Sequence, residues 1–149
     1  MGIINLRPPR IAVALTLIAA AIHWSLLLGE RTRFSLAWTG ASIGLAGFLL
    51  MMWSWLLFKR QNLAVCPTAK TERLTTEGPY HYSRHPMYLG MVLMMLGLAL
   101  YIGTAPFYLS ALAYFATLNF IFCPYEEKKL SDAFGDAYRQ YRKTIRRWI

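Results

Sequence analysis

Side chains that can do chemistry are concentrated in residues 78–90, GPYHYSRHPMYLG. This stretch holds two histidines, one arginine and three tyrosines, and it continues directly into an apolar segment. Imidazoles titrate near neutral pH and can move protons or bind metals. Tyrosine rings can hold a cationic ligand through cation–π contact. The pattern therefore indicates a polar binding site at the edge of an apolar element.

The histidines do not form a convincing metal site. His81 and His85 are four residues apart, but Pro79 and Pro86 disfavour a regular helix that would place both rings on one face. The sequence around them contains no H-E-x-x-H motif and no cysteine. The remaining histidine, His23, lies in the first apolar segment, where we expect a hydrogen-bonded packing residue. We therefore predict no metal.

A pair of acids supplies the second candidate chemistry. Glu126 and Glu127 directly follow the last apolar segment. One interpretation is that they are solvated charges at the start of a helix, where they complement the helix dipole. The other is that one carboxylate faces a ligand cation or ribose hydroxyls. The residues brought near this pair by the fold decide between the two.

The elements that must position these residues are apolar helices. The chain has 149 residues, of which 56% are hydrophobic and 15% are charged, an apolar excess typical of membrane proteins. About 20 apolar residues cross a bilayer as a helix, with a lower limit near 17. Four segments without Asp, Glu, Lys or Arg approach or exceed that length: 11–28, 36–58, 87–103 and 107–123. We predict a single all-α domain, residues 1–149, a polytopic membrane protein with about four transmembrane helices.

The basic residues predict the orientation of these helices. All but Arg31 and Arg33 of the sixteen lysines and arginines would lie on one side, with the N-terminus, the loop 59–86 and the C-terminal tail. The positive-inside rule places that side in the cytoplasm. The net charge of +9 is then explained by topology and by anionic lipid, and we predict no nucleic-acid partner.

The last two apolar segments are joined by the short turn GTAP and predict a tight helical hairpin. In an antiparallel pair, the start of the third segment lies beside the end of the fourth. His85, Pro86 and Tyr88 would therefore meet Glu126 at the cytoplasmic mouth between two helices. Such a mouth is a plausible ligand pocket.

The second segment carries glycines at helical spacing. Gly40 and Gly44 form G-x-x-x-G, and Gly47 extends the same small face. Because no strand precedes them, a glycine-rich cofactor loop is disfavoured. We expect them to allow close helix packing in lipid.

The tail predicts an amphipathic helix at the membrane surface. Acids come early and bases late, as suits the helix dipole. We expect Gly135 to bend this helix. One apolar stripe follows helical spacing: Leu130, Phe134, Tyr138, Tyr141, Ile145 and Trp148.

Two motifs around the hairpin resemble a known family. LTTEGPYHYSRHPMYLG, followed by EEKKLSDAFGDAYRQYRK, is similar to the isoprenylcysteine carboxyl methyltransferases, a family of integral membrane methyltransferases. The wider group includes phospholipid N-methyltransferases. The resemblance covers about residues 60–147. It implies an S-adenosyl-L-methionine site within about residues 65–147, with catalytic roles for His85 and Tyr88. The implied cofactor contacts are Glu72, Arg73, Leu74, Thr75, Tyr80, His85, Pro86, Met87, Tyr88 and Glu126.

The resemblance also implies an activity. We expect a methyltransferase in a bacterial inner membrane that acts on a lipophilic acceptor, with carboxyl O-methylation favoured and phospholipid or amine N-methylation as the alternative. A carboxylate acceptor needs no base, whereas an amine would need one, and His85 is the candidate. The isoprenylcysteine enzymes use an arginine at the position of Phe122 to contact substrate, so the acceptor stays open. An NADPH-dependent membrane reductase and a non-catalytic membrane scaffold are the alternatives of other classes.

Overall fold

The computed structural model describes residues 7–26, 36–61 and 74–149, and these ranges are mostly helical. The helices are α1 (Pro8–Ser25), α2 (Ala37–Arg60), α3 (Pro86–Ile102), α4 (Ala105–Thr117) and α5 (Cys123–Thr144). A 3-10 turn (Gly78–His81) precedes α3, and a π-helical turn (Leu118–Phe122) joins α4 to α5. No β-strand occurs in these described ranges, which confirms the predicted all-α class.

The glycines of α2 bring its backbone against that of α3. A Cβ atom added at Gly40 would lie 2.6 Å from the carbonyl oxygen of Gly97, and one at Gly47 would lie 2.6 Å from that of Gly90. Any larger side chain at these positions would push the two helices apart. The predicted packing role of the α2 glycines is confirmed.

The predicted hairpin is also present. α3 ends at Ile102, where Gly103 adopts a left-handed conformation (φ 78°) and closes the helix end through a hydrogen bond from its N–H to the Ala99 carbonyl. Pro106 lies in the first turn of α4, where its missing N–H removes no helical hydrogen bond. α3 and α4 then pack against each other, and His85, directly before α3, lies near Glu127, which follows the end of α4.

The chain reverses direction at Gly135. This residue has φ 52° and ψ −119°, a conformation that glycine adopts readily and other residues rarely do. A straight helix from Asn119 to Thr144 would measure roughly 38 Å. Yet the Trp148 indole nitrogen lies 3.0 Å from the Asn119 side-chain oxygen. The predicted bend is therefore present, and it returns the end of the chain to the start of α5.

The helical stripe predicted for the tail is wrong at its end. α5 ends at Thr144, and Ile145 is extended (φ −114°, ψ 130°), so Ile145 and Trp148 do not continue one helical face. The last residues instead form hydrogen bonds with the loop before α3: the Arg84 N–H donates to the Arg146 carbonyl at 3.1 Å. These tertiary contacts replace the helical hydrogen bonds that the spacing predicts.

Two helical runs in the described part of the chain are long and apolar enough to cross a bilayer. They are α2 and the run Ala105–Thr144, which includes α4, the π-helical turn and α5. Their outer faces expose large apolar side chains; Trp38 is 89% exposed and Phe120 is 74% exposed, as suits a lipid environment. Crossing by α1 and by the 17-residue α3 stays a prediction, as does a surface-bound tail.

Candidate functional site

His85 is fixed at the start of α3 by its neighbours. Pro86 occupies the first helical position, where its ring geometry favours helix initiation. The backbone N–H of His85 donates to the Ser83 hydroxyl at 3.2 Å. The side chain turns inward, and the residue is 4% exposed. By contrast, His81 is exposed and its ring meets Tyr82 edge-on.

The imidazole of His85 lies between two carboxylates of α5. Its Nδ1 is 3.7 Å from Oε2 of Glu126, and its Nε2 is 3.4 Å from Oε1 of Glu127. The structure thus brings together the two clusters that the hairpin predicts, His85 and Glu126, and adds Glu127 on the other ring nitrogen.

This arrangement favours the charged imidazolium. Burial lowers the pKa of His85, but the contacts with Glu126 and Glu127 outweigh it and raise the pKa above its ordinary value. Nε2 is within hydrogen-bonding distance of Glu127, and Nδ1 faces Glu126 at 3.7 Å as a charge contact, so an imidazolium with two N–H groups suits both sides. In this arrangement both ring nitrogens of His85 face acidic side chains.

Glu127 is the centre of an ion cluster. Arg147 donates to both of its oxygens, from Nε at 2.8 Å and from Nη2 at 2.9 Å. Arg84 Nη1 lies 3.3 Å from Oε1, an ionic contact without hydrogen-bond geometry. Burial raises the pKa of Glu127, but hydrogen bonds from His85 and Arg147 and the nearby charge of Arg84 hold it well below its usual value. Glu127 is therefore a buried anion surrounded by three positive groups.

Glu126 lies at the open side of the cluster. Its side chain is 29% exposed, compared with 6% for Glu127. Burial alone raises its pKa, whereas contact with His85 and a hydroxyl within hydrogen-bonding reach on Tyr88 lower it below the usual value. The rings of Tyr88 and His85 stack in parallel, with centroids 5.6 Å apart and planes at 5°. Glu126 is thus a partly exposed carboxylate beside two buried rings, those of His85 and Tyr88.

The remaining predicted cofactor residues lie in different surroundings. Tyr80 is buried against Phe58, with ring centroids 5.3 Å apart, and its carbonyl accepts a hydrogen bond from the Tyr141 hydroxyl at 2.6 Å. Thr75 is buried and donates to the Gln61 side chain at the end of α2, at 2.8 Å. Pro86 is buried, while Leu74 and Met87 are half-buried. Glu72 and Arg73 lie outside the described residues.

Sequence reasoning missed several members of the cluster. Arg84 belongs to the quoted R-H-P stretch and Glu127 to the acidic pair, so both were within the motifs but received no role. Arg147 and Asn119 gave no local signal, because only the chain reversal at Gly135 brings the end of the chain to the π-helical turn. π-Helical turns are frequent at functional sites.

Comparison with known proteins adds a family. A sequence model of the phospholipid methyltransferase family matches residues 36–137. An uncharacterized protein of Haemophilus influenzae is 33% identical over 63 residues, which are 42% of this chain and 100% of that protein. The protein-S-isoprenylcysteine O-methyltransferase of Schizosaccharomyces pombe is 37% identical over 79 residues, 51% of this chain and 32% of that enzyme. The match therefore covers about a third of that enzyme's length.

Proposed function

This chain belongs to the phospholipid methyltransferase family, and from that premise we propose that it transfers a methyl group from S-adenosyl-L-methionine to a lipophilic acceptor at the cytoplasmic membrane surface. The family makes it a membrane methyltransferase. The donor, the acceptor and the residues that bind them are part of the proposal.

The residues at the mouth of the site fit a cationic donor. S-adenosyl-L-methionine, when bound, supplies an activated methyl group on a positively charged sulfonium. Glu126 keeps a negative charge at the partly exposed edge, and the Tyr88 ring lies beside it. We propose that these two residues, with His85 and the preceding loop from Leu74 to Tyr80, hold the donor. Glu72 and Arg73 remain proposed contacts.

The charge of His85 supports a carboxylate acceptor. A carboxylate is already ionised near neutral pH and needs no base. An amine acceptor must first lose a proton, and the doubly paired imidazole of His85 is poorly suited to take it. The single observation that carries this proposal is the imidazole held between Glu126 and Glu127. Catalysis then consists mainly of positioning the two reactants.

The acceptor's hydrocarbon part has a suitable place nearby. An apolar cavity of about 730 Å³ lies between α1, α2 and α3. It begins at Met91, one turn beyond Tyr88, and extends along α3 to Tyr101, roughly 15 Å away. We propose that a lipid chain lies in this cavity while its headgroup reaches Tyr88.

N-methylation of a phospholipid is the second candidate activity, because the family that matches this chain is named for phospholipid substrates. The two chemistries can be separated with methyl-labelled S-adenosyl-L-methionine, purified protein and a membrane lipid extract. We expect a labelled lipid that releases methanol in mild alkali, as a methyl ester does. An alkali-stable label would overturn carboxyl O-methylation in favour of N-methylation. Glu126→Gln serves as the control with an impaired site.

We also propose the topology that fits this chemistry. The single domain 1–149 would cross a bacterial inner membrane four times, with both termini in the cytoplasm and α5 at the membrane surface. The asymmetry of the basic residues supports this orientation. A single cysteine in place of the exposed Arg139 should react with a membrane-impermeant thiol reagent only after the membrane is opened. Reaction in intact cells would contradict it.

A further inference from the structure

The last residues of the chain lie against the candidate site. After α5 ends at Thr144, residues 145–149 run beside the loop that precedes α3. The Ser83 hydroxyl donates to the Arg147 carbonyl at 3.1 Å, and the Arg84 N–H donates to the Arg146 carbonyl at 3.1 Å. These bonds join the C-terminal segment 145–149 to the backbone that presents His85. The segment lies beyond residues 36–137, which match the family.

The Arg147 side chain uses all three of its nitrogens. Nε and Nη2 bind the two oxygens of Glu127 at 2.8 and 2.9 Å. Nη1 donates to the backbone carbonyl and to the side-chain oxygen of Asn119, both at 3.3 Å. A planar, bidentate contact fixes the direction of a carboxylate as well as its charge. Arg147 therefore clamps Glu127 to the π-helical turn.

The neighbouring indole strengthens the same arrangement. The Nε1–H of Trp148 donates to the side-chain oxygen of Asn119 at 3.0 Å. Its ring lies 5.3 Å from that of Phe115 and 6.5 Å from that of His85, measured between centroids. The C-terminal segment therefore contacts His85 and also the π-helical turn to which Arg147 joins Glu127.

The contacts of Glu127 differ in quality. Those with Arg147 are the shortest, at 2.8 and 2.9 Å. His85 forms a longer hydrogen bond at 3.4 Å, and Arg84 lies at 3.3 Å without hydrogen-bond geometry. The guanidinium of Arg147 is therefore the closest partner of the Glu127 carboxylate, and that carboxylate in turn contacts the imidazole.

We propose that Arg147 is a positioning residue of this methyltransferase: by holding Glu127 against His85, it fixes the imidazole that supports Glu126 at the mouth of the site. The proposal rests on the proposed function for its effect on the donor. The arrangement of Arg147, Glu127 and His85 itself is independent of which ligand binds.

Binding of S-adenosyl-L-homocysteine to detergent-purified protein tests the effect on the donor. We expect Arg147→Ala to weaken binding by about tenfold, the order expected for a lost charged hydrogen bond. Arg147→Lys keeps the charge but not the two-pronged contact, so it should recover part of the affinity. Arg142→Ala, an exposed arginine of α5, is the matched control and should bind like the wild type. Affinities are compared per folded, monodisperse protein.

Histidine titration by nuclear magnetic resonance supplies a readout that a purely structural role would not change. With Arg147 removed, Glu127 is no longer held against His85, so the pKa of His85 should fall towards its ordinary value. The spectrum of His85→Gln assigns the signal. Among the residues that the structure describes, the charged and titratable groups that face His85, directly or through the acidic pair, include Arg84, Tyr88, Cys123, Glu126, Glu127, Lys129, Tyr138 and Arg147.

The two readouts separate this inference from the proposed function. Unchanged affinity in Arg147→Ala, together with an unchanged or raised pKa of His85, would overturn the positioning role, because Glu127 would then keep its place without Arg147. If the wild type fails to bind S-adenosyl-L-homocysteine, the proposed function fails, and the titration alone decides the role of Arg147. If Arg147→Ala does not fold, the same comparison is made with Arg147→Lys. Its affinity and the pKa of its His85 should lie between the wild-type values and those predicted for Arg147→Ala.

Discussion

Replacing Glu127 by glutamine should destabilise the protein far more than the same change at Glu126. The two residues are adjacent and chemically identical, but Glu127 is 5% exposed and contacts Arg147, Arg84 and His85. Glutamine keeps the shape of the side chain and removes its charge. It therefore leaves three positive groups facing a neutral amide in the interior.

The size of the effect follows from those contacts. Removing one partner of a buried ion pair costs about 3–5 kcal/mol. The side chain of Arg147 is 28% exposed, so water compensates part of the loss, and we expect about 2–4 kcal/mol. For a chain of this length that corresponds to a fall in Tm of roughly 6–12 °C. Glu126 is 29% exposed and lies 3.7 Å from His85, so its replacement should cost less than about 1 kcal/mol.

Thermal unfolding in mild detergent, followed by intrinsic tryptophan fluorescence, measures both variants. The five tryptophans provide the signal, and Trp148 lies at the cluster itself. Equal shifts in the two variants would refute the distinction between a buried and a partly exposed carboxylate. An unchanged Tm for Glu127→Gln would refute the ion cluster altogether.

Three further changes test other parts of the structure. Gly135→Ala must adopt a positive φ and should cost about 1–2 kcal/mol by thermal unfolding; an unchanged Tm would contradict the chain reversal. Gly97→Leu should abolish the peak of monodisperse folded protein in size-exclusion chromatography, because its Cβ would lie 2.5 Å from the backbone nitrogen of Gly44. Gly44→Ala is the control and should be tolerated, because its Cβ would lie 3.9 Å from its nearest atom. The thermal stability of the protein should fall at both low and high pH. The pKa of His85 is raised in the folded protein, so the stability that His85 contributes is complete below its ordinary pKa of 6.5 and is lost as the pH rises through the raised pKa. The contribution of Glu127, with a lowered folded pKa, is complete above 4.5 and is lost as pH falls through the folded value; a Tm that does not vary with pH would refute both.

The helices and their close packing were predictable because their signals are local. Uncharged apolar runs predict α2 and the hairpin, and the spacing of Gly40, Gly44 and Gly47 predicts a small face that a second helix can approach. The meeting of His85 with Glu126 follows from the hairpin alone, since antiparallel helices joined by a short turn bring distant residues together. These inferences need no knowledge of side-chain contacts.

The different surroundings of Glu126 and Glu127 were not predictable from the local sequence pattern. Glu126 and Glu127 are neighbours on a helix, and their different exposure depends on which side faces Arg147. That arginine reaches the site because Gly135 reverses the chain, and a glycine in a helical pattern signals a bend without giving its direction. The same reversal explains why the helical spacing of Ile145 and Trp148 was misleading.

Phe122 occupies the position at which the isoprenylcysteine enzymes, which this sequence resembles, have an arginine. The residue is 1% exposed within the π-helical turn, so its side chain packs in the core. The guanidinium that the isoprenylcysteine enzymes place at this position is absent here, while Arg84 and Arg147 lie near the site from other elements. We expect the acceptor's polar group to meet different partners from those in that group.

Calorimetric titration of S-adenosyl-L-homocysteine into wild-type protein and Glu126→Gln is the most direct test of the central claim, that the edge formed by His85, Tyr88 and Glu126 holds the methyl donor. We expect one molecule to bind per wild-type chain, and we expect Glu126→Gln to fold normally but bind at least about tenfold more weakly. Equal affinity in the two proteins, or no binding by the wild type, would contradict it.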